Sequence, residues 1–207
     1  MLDLEDSVPV DAKKDARRQV IGSLQKMAWG KKVLMFRCNA LDTPFGYRDL
    51  LEVLEGAGDR IDAVVIPKVD HPGDIHFVHR LMAGIEMRIE GRRPVGIEAS
   101  VETARGLARI QEIAAASDRL VSLVFGIADY QASIGARLMS VSGHGEAEDA
   151  VYPGHRWNFV MSRLVMAAKS RGLLAIDAPY GNFQDPKGLE KWASVAAALG
   201  FDGKWAI

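Results

Sequence analysis

The chain has 207 residues, 48% of them hydrophobic, and 26 basic against 27 acidic side chains leave a formal charge of -1. That balance gives no broad electrostatic footprint for nucleic acid or an anionic membrane, and no apolar run approaches the roughly 20 residues that span a bilayer. Cys38 is the single cysteine, which rules out an internal disulfide and suits a reducing compartment, so a cytosolic chain with one catalytic-type domain over residues 1–207 is expected.

In chain order, the first apolar run, Met1 to Leu4, reads as a strand that ends in the acids of "DLED". A helix-like stretch follows from Ala12 to Met27, with Asp11 where an N-cap would stand. The next strand, Val33 to Arg37, closes on an arginine and leads to a helix over Tyr47 to Glu55. A third, Ala63 to Pro67, runs into Lys68, and a helix is predicted from Ile75 to Ile89. Val95 to Ile97 begins a fourth strand, followed by a helix over Thr103 to Ala116. A fifth strand, Leu120 to Phe125, leads into Gly126 and Asp129. The stretch Gly135 to Gly154 holds Gly143, Gly145 and Pro153 among Glu146, Glu148 and Asp149, the composition of a long loop, and its place after a strand end suits a lid. A helix over His155 to Ser170, a strand over Leu173 to Ile176 ending near Asp177, a helix over Pro186 to Leu199 and a last strand over Lys204 to Ile207 complete the pattern. Asp185 before Pro186 fits an N-cap with proline at the first helical position, and Gly172 and Gly200 stand where helices end.

Strand and helix alternation predicts a parallel sheet with helical crossovers. Seven strands fit either a barrel short of one strand or an open doubly wound sheet, although no Gly-x-Gly-x-x-Gly follows the first strand. The chain reads as truncated at both ends. In a parallel barrel the strand ends face one mouth, so Glu102 and Asp129, each closing an apolar run, suggest a Mg²⁺ site built from two carboxylates. Glu98 rivals Glu102, because spacing alone does not choose between them, and either acid could simply favour a helix dipole. Asp129 could equally be a helix N-cap. Arg37 has the fork geometry that grips a carboxylate, or it forms a salt bridge to a nearby loop acid. Lys68 and Asp177 are strand-end charges that either serve the site or solvate its rim. His71, His76 and His79 lack the His-x-x-x-His spacing of a zinc site, and His144 and His155 read as surface residues.

The blocks "LDLEDSV", "WGKKVLMFRCNALDT", "GDRIDAVVIPKV", "IEASVETARGL", "LVFGIADYQASIGA" and "GLLAIDAPYGNFQDPKGL" resemble, in order and through nearly the whole chain, the citrate lyase β-subunit-like family of the HpcH/HpaI aldolase superfamily. Within it, the malyl-CoA and β-methylmalyl-CoA lyase branch is the better match. The resemblance implies a TIM (β/α)8-type barrel, incomplete at seven of eight strands, with the first strand and a C-terminal segment missing. It implies Mg²⁺ as cofactor, with Glu102 of "VETA" and Asp129 as metal ligands. It also implies Arg37 as the substrate-gripping arginine, and Glu5 with Asp6 as holders of metal-bound waters. Gly126, Ala128 and Asp129 are expected to contact the substrate. The implied reaction is carbon-carbon cleavage or formation in a 3-hydroxyacyl-CoA, giving acyl-CoA and glyoxylate, in a homo-oligomer, trimer or hexamer, with no nucleic acid or membrane partner. The family places the catalytic base in a C-terminal segment not found in these residues. The alternatives are a non-catalytic or truncated member that binds keto acids or CoA esters, and an aldolase acting on free hydroxy acids.

Overall fold

The computed structural model describes residues 1–88, 93–136 and 156–206. Its strands hydrogen-bond in chain order, β1-β2-β3-β4-β5-β6-β7, and every register recorded between neighbours is parallel. The fold is therefore α/β with a seven-stranded parallel sheet, as the alternation of runs predicts. The chain divides into two units, Met1–Pro67 with Gly73–Ala99 and Ala116–Val121, and Lys68–Pro72 with Ser100–Ala115 and Ser122–Ile207.

The first unit holds β1 (Leu2–Asp3), β2 (Met35–Arg37), β3 (Ala63–Ile66) and the opening residues of β4 (Gly96–Val101) and β5 (Leu120–Phe125). Its helices are α1 (Lys13–Lys26), α2 (Gly46–Ala57) and, from Gly73 on, α3 (Pro72–Glu86). All four residues of β3 are buried, which explains the unbroken "AVVI": a parallel strand covered on both faces has no polar side. The helices bury one stripe each, Val20 and Leu24 on α1, Leu50, Val53 and Leu54 on α2, and Ile75, Val78, Met82 and Ile85 on α3. Those spacings of three and four residues are the helical period read from sequence.

The second unit holds the ends of β4 and β5, then β6 (Leu174–Asp177) and β7 (Gly203–Lys204). Its helices are α4 (Ala104–Ala108), α5 (Ile110–Ala114), α6 (Ile127–Ser133), α7 (Asn158–Lys169) and α8 (Pro186–Leu199). Phe125, Tyr130 and Trp157 pack edge to face, with ring centroids 5.6, 6.4 and 5.8 Å apart, the arrangement favoured by ring quadrupoles.

Several local expectations are met. Asp185 caps α8 by accepting from the Gly188 N–H at 3.0 Å, with Pro186 in the first turn. Gly172 and Gly200 adopt φ of 70° and 101° after their helices. Others need correction. Asp11 does not cap α1: a 3-10 turn over Val10–Ala12 intervenes, closed by Ala12 N–H donating to Pro9, and Asp11 lies inside it. The helix predicted over Thr103 to Ala116 is two short helices, because at Arg109 ψ opens to 15° and its N–H is shared between the carbonyls of Arg105 and Gly106. From residue 137 to 155, the expected glycine-rich loop, with His144 and His155, lies outside the described residues, as does Ile207.

Candidate active site

In the second unit, the end of β4 carries Glu102, 3% exposed. Its Oε1 accepts from the backbone N–H of Lys68 at 2.7 Å and its Oε2 from the Ser100 hydroxyl at 2.7 Å. Gly126, at the end of β5, supplies the space: a Cβ there would collide with the Glu102 side chain, lying 2.9 Å from its carboxyl carbon and closer still to Cβ and Oε2. The glycine at this strand end is therefore a steric requirement of the glutamate.

Lys68 stands in the left-handed region, φ 51°, as the one non-glycine residue that does so among the described residues. A side chain there costs on the order of 1–2 kcal/mol, which the surroundings must offset. They hold the loop on both sides. Val69 N–H donates to Ser100 O at 3.1 Å, while Gly106 leaves room for the Val69 carbonyl that a Cβ would strike. The conformation turns the Lys68 N–H toward Glu102 and puts its ammonium 3.7 Å from Asp129 Oδ1. Both side chains of that pair are about a third exposed, 33% and 36%.

Asp129 is the third residue of α6, and the position before the helix belongs to Gly126, so Asp129 does not cap it. Ala128, beside it, is exposed. Lys68 touches both acids, where the sequence left open whether it serves the site or solvates its rim. Glu98 lies inside β4, buried, within the first unit, whereas Glu102 follows the strand's last residue.

The donor chemistry of Glu102 and Asp129 suits a hard divalent cation. A carboxylate oxygen has two acceptor positions, so the bonds to Lys68 and Ser100 orient Glu102 and leave each oxygen able to take a second partner. Two carboxylates match what Mg²⁺ takes from protein, the rest of its octahedron being water and substrate. Among the described residues no cluster of three or more His, Cys, Asp and Glu side chains is arranged to hold a metal.

In the first unit, β1 and β2 pair with Asp3 opposite Arg37. That register makes a two-pronged ion pair: Arg37 Nε donates to Asp3 Oδ1 at 2.8 Å and Nη2 to Oδ2 at 2.7 Å. Arg37 Nη1 lies 2.9 Å from Glu5 Oε2. The salt-bridge reading of Arg37 is the one its contacts show, since it bridges Asp3 and Glu5. Burial alone would raise the pKa of Asp3, but Arg37, the Ser7 contact and the Glu5 N–H outweigh it and hold the carboxyl well below the usual range. Glu5 is 4% exposed, and Asp6 is exposed. The two members of the expected Glu-Asp pair therefore have different surroundings.

Two further groups brace this cluster and gave no sign in the sequence. Lys13 is buried and donates from Nζ to the carbonyls of Leu4 and Glu5 at 2.7 and 2.6 Å. Asp49, fully buried, accepts from Arg17 Nε at 2.9 Å and from the backbone and side chain of Asn39 at 2.9 and 2.5 Å, fixing the turn after β2. Burial raises the pKa of the neighbouring Cys38 thiol, with the charges of Asp49 and Glu5 adding to the rise, so it is a poor thiolate.

Asp177, the other strand-end charge, does not solvate a rim. It is fully buried in the second unit, with Lys204 Nζ 2.5 Å from its Oδ2, and the two residues are register partners on β6 and β7.

A parallel α/β sheet with acids and lysines at the carboxyl ends of its strands defines the general class of enzymes whose chemistry gathers at strand ends. The particular family follows from comparison: the HpcH/HpaI aldolase/citrate lyase family matches residues 1–207, and the chain belongs to it. It is 42% identical, over all of its length, to the L-malyl-CoA/beta-methylmalyl-CoA lyase of Cereibacter sphaeroides, of which it covers 66%. The chain thus spans about two thirds of the length of that relative. Protein CitE from Mycobacterium tuberculosis, solved in complex with magnesium and pyruvate, superposes with a TM-score of 0.76 at 31% identity, over 100% of this chain and 74% of that one. A citrate lyase from Burkholderia xenovorans shares the fold, with a TM-score of 0.88 at 18% identity over 100% of this chain and 64% of that one. Among the described residues no helix is long and apolar enough to cross a membrane.

Proposed function

We propose that the chain is the barrel portion of a magnesium-dependent CoA-ester lyase, which cleaves or forms the carbon-carbon bond of a malyl-CoA-type 3-hydroxyacyl-CoA to give acyl-CoA and glyoxylate. The observation that carries this reading is Glu102, a buried carboxylate held in one orientation by the Lys68 N–H and the Ser100 hydroxyl, with Lys68 linking it to Asp129. The relative at 42% identity, named for malyl-CoA, and the CitE structure holding magnesium with a keto acid support it. The sheet is read as part of a TIM-type barrel, in which strand ends carry the chemistry.

In this reading Glu102 and Asp129 hold Mg²⁺. The bound ion supplies Lewis-acid polarisation of a substrate carbonyl. The chain's own contribution is preorganisation. Glu102 arrives with its rotamer fixed by Gly126, Lys68 and Ser100, so little ordering is left to be done when the substrate binds. Arg37 is assigned the charge of a substrate oxygen, and Asp3 with Glu5 keeps its guanidinium plane fixed for that purpose. Lys13 steadies Glu5 from behind through its carbonyl.

The test is Mg²⁺-dependent release of glyoxylate from malyl-CoA. Glu102→Gln and Asp129→Asn should each lower the rate by roughly a hundredfold or more, the scale of losing a preorganised charge. A rate indifferent to both substitutions sinks the assignment.

A further inference from the structure

Asp70 follows β3, and its contacts join the two segments that shape Glu102. Its Oδ1 takes the hydroxyl proton of Thr103, the residue after Glu102, and its Oδ2 lies 3.9 Å from Nη1 of Arg105. The Thr103 oxygen accepts at the same time from the Gly106 N–H at 2.9 Å, so the cap of α4 is kept while the one proton of that hydroxyl is directed to Asp70. Two residues before Asp70, Lys68 holds its positive φ and gives its backbone N–H to Glu102 Oε1. Glu102 is therefore bounded on its carboxylate side by the Lys68 turn and on its backbone side by Thr103. Asp70 belongs to the first of these segments and is bonded to the second.

We infer that Asp70 is a positioning residue for the metal-binding glutamate. By holding the Thr103 hydroxyl it ties the Lys68 turn to the start of α4 and keeps the Lys68 N–H aimed at Glu102 Oε1. This rests on the metal assignment of Glu102 and Asp129. A left-handed turn at a lysine is an unfavourable conformation that persists only where its surroundings over-determine it. The bond from Val69 N–H to Ser100 O at 3.1 Å and the space at Gly106 hold one side, and Asp70 supplies an anchor beyond Val69. Arg105 is 80% exposed, so solvent weakens its pairing with Asp70 and the hydroxyl bond is the stronger of the two contacts. With that anchor cut, the Lys68 N–H loses its fixed direction, Glu102 gains rotamer freedom, and each metal ion that binds must order it again.

The test is Mn²⁺ affinity without substrate, measured as loss of the free-ion resonance signal. Asp70→Ala should bind Mn²⁺ roughly three- to tenfold more weakly than the parent chain, the scale of losing one hydrogen bond that orients a ligand. Asp70→Asn keeps an oxygen that accepts the hydroxyl proton and should stay within about twofold of the parent, a rescue that a charge acting directly on the metal would not show. Thr103→Val cuts the same bond from its other end, together with the cap, and should lose at least as much as Asp70→Ala. Thr103→Ser keeps the hydroxyl and should bind as the parent does. Because both ends serve one bond, Asp70→Ala combined with Thr103→Val should be no weaker than Thr103→Val alone. Should Thr103→Val not fold, the comparison of Asp70→Ala with Asp70→Asn decides by itself. Parental binding in Asp70→Ala, a loss in Asp70→Asn as large as in Asp70→Ala, or additive losses in the double variant overturns the positioning role, and loss of affinity in Glu102→Gln then leaves the metal assignment standing. A parent chain that binds Mn²⁺ no better than Glu102→Gln overturns both.

Discussion

Two lysine–aspartate pairs stand at strand ends of the second unit, and they differ in almost every physical respect. Asp177 and Lys204 are in register on adjacent strands, 2.5 Å apart, with the carboxylate fully buried and the lysine 10% exposed. Lys68 and Asp129 come from a loop and a short helix, 3.7 Å apart and a third exposed. Composition is identical and the roles diverge. A buried pair cannot be opened cheaply, because either charge left alone in a low dielectric is costly, so the tight pair belongs to the framework. The loose pair is partly exposed on both sides, where solvent weakens the attraction between the charges.

Breaking the tight pair should have the largest effect. Lys204→Met removes the ammonium paired with the buried Asp177 carboxylate and should destabilise by about 3–5 kcal/mol, read from the urea midpoint. Next comes Gly126→Ala, which forces a methyl into Glu102. The expected cost is about 1–3 kcal/mol together with weakened Mn²⁺ binding, and retention of parental metal affinity would show that the glutamate has another place to go. Acidification probes the first unit. The pKa of Asp3 is depressed in the folded chain, so its contribution is present above its unfolded value, about 4, and declines as pH falls toward the folded one. Asp3→Asn should therefore flatten the acid limb of a stability profile, and identical acid limbs would refute the assignment. The smallest effect is expected at the loose pair. Lys68→Met should change stability, read from the urea midpoint, by no more than about 0.5 kcal/mol, in contrast to its counterpart at 204, and a loss as large as that of Lys204→Met would erase the distinction.

What the sequence disclosed and what it withheld follow the range of the interactions. Strands, helix stripes, the Asp185 cap and the glycine stops at 172 and 200 are local, set within a few residues, and all were readable. Asp3 with Arg37, and Asp177 with Lys204, join residues 34 and 27 positions apart. They meet because they face each other in parallel registers, and a register is not written in either strand alone. Lys13 and Asp49 were hidden for a related reason: charged residues on helices read as solvated until packing shows which turn they lie beneath. Glu102 required motif resemblance to separate it from Glu98, and the structure adds a physical difference, since one lies within the strand and the other beyond its end. Lys68 was named as a strand-end charge, but its role stayed open because a positive φ in a residue other than glycine has no signature in composition.

Gly126 has a consequence for anyone who surveys this chain by substitution. Every replacement of glycine adds at least a Cβ, and here that atom meets Glu102. In a saturation scan scored on activity, position 126 would show a uniform column of loss with no tolerated neighbour, the profile usually assigned to a reacting group. Yet glycine brings no reacting group to the site, and the scan would be recording the space that another residue's carboxylate occupies.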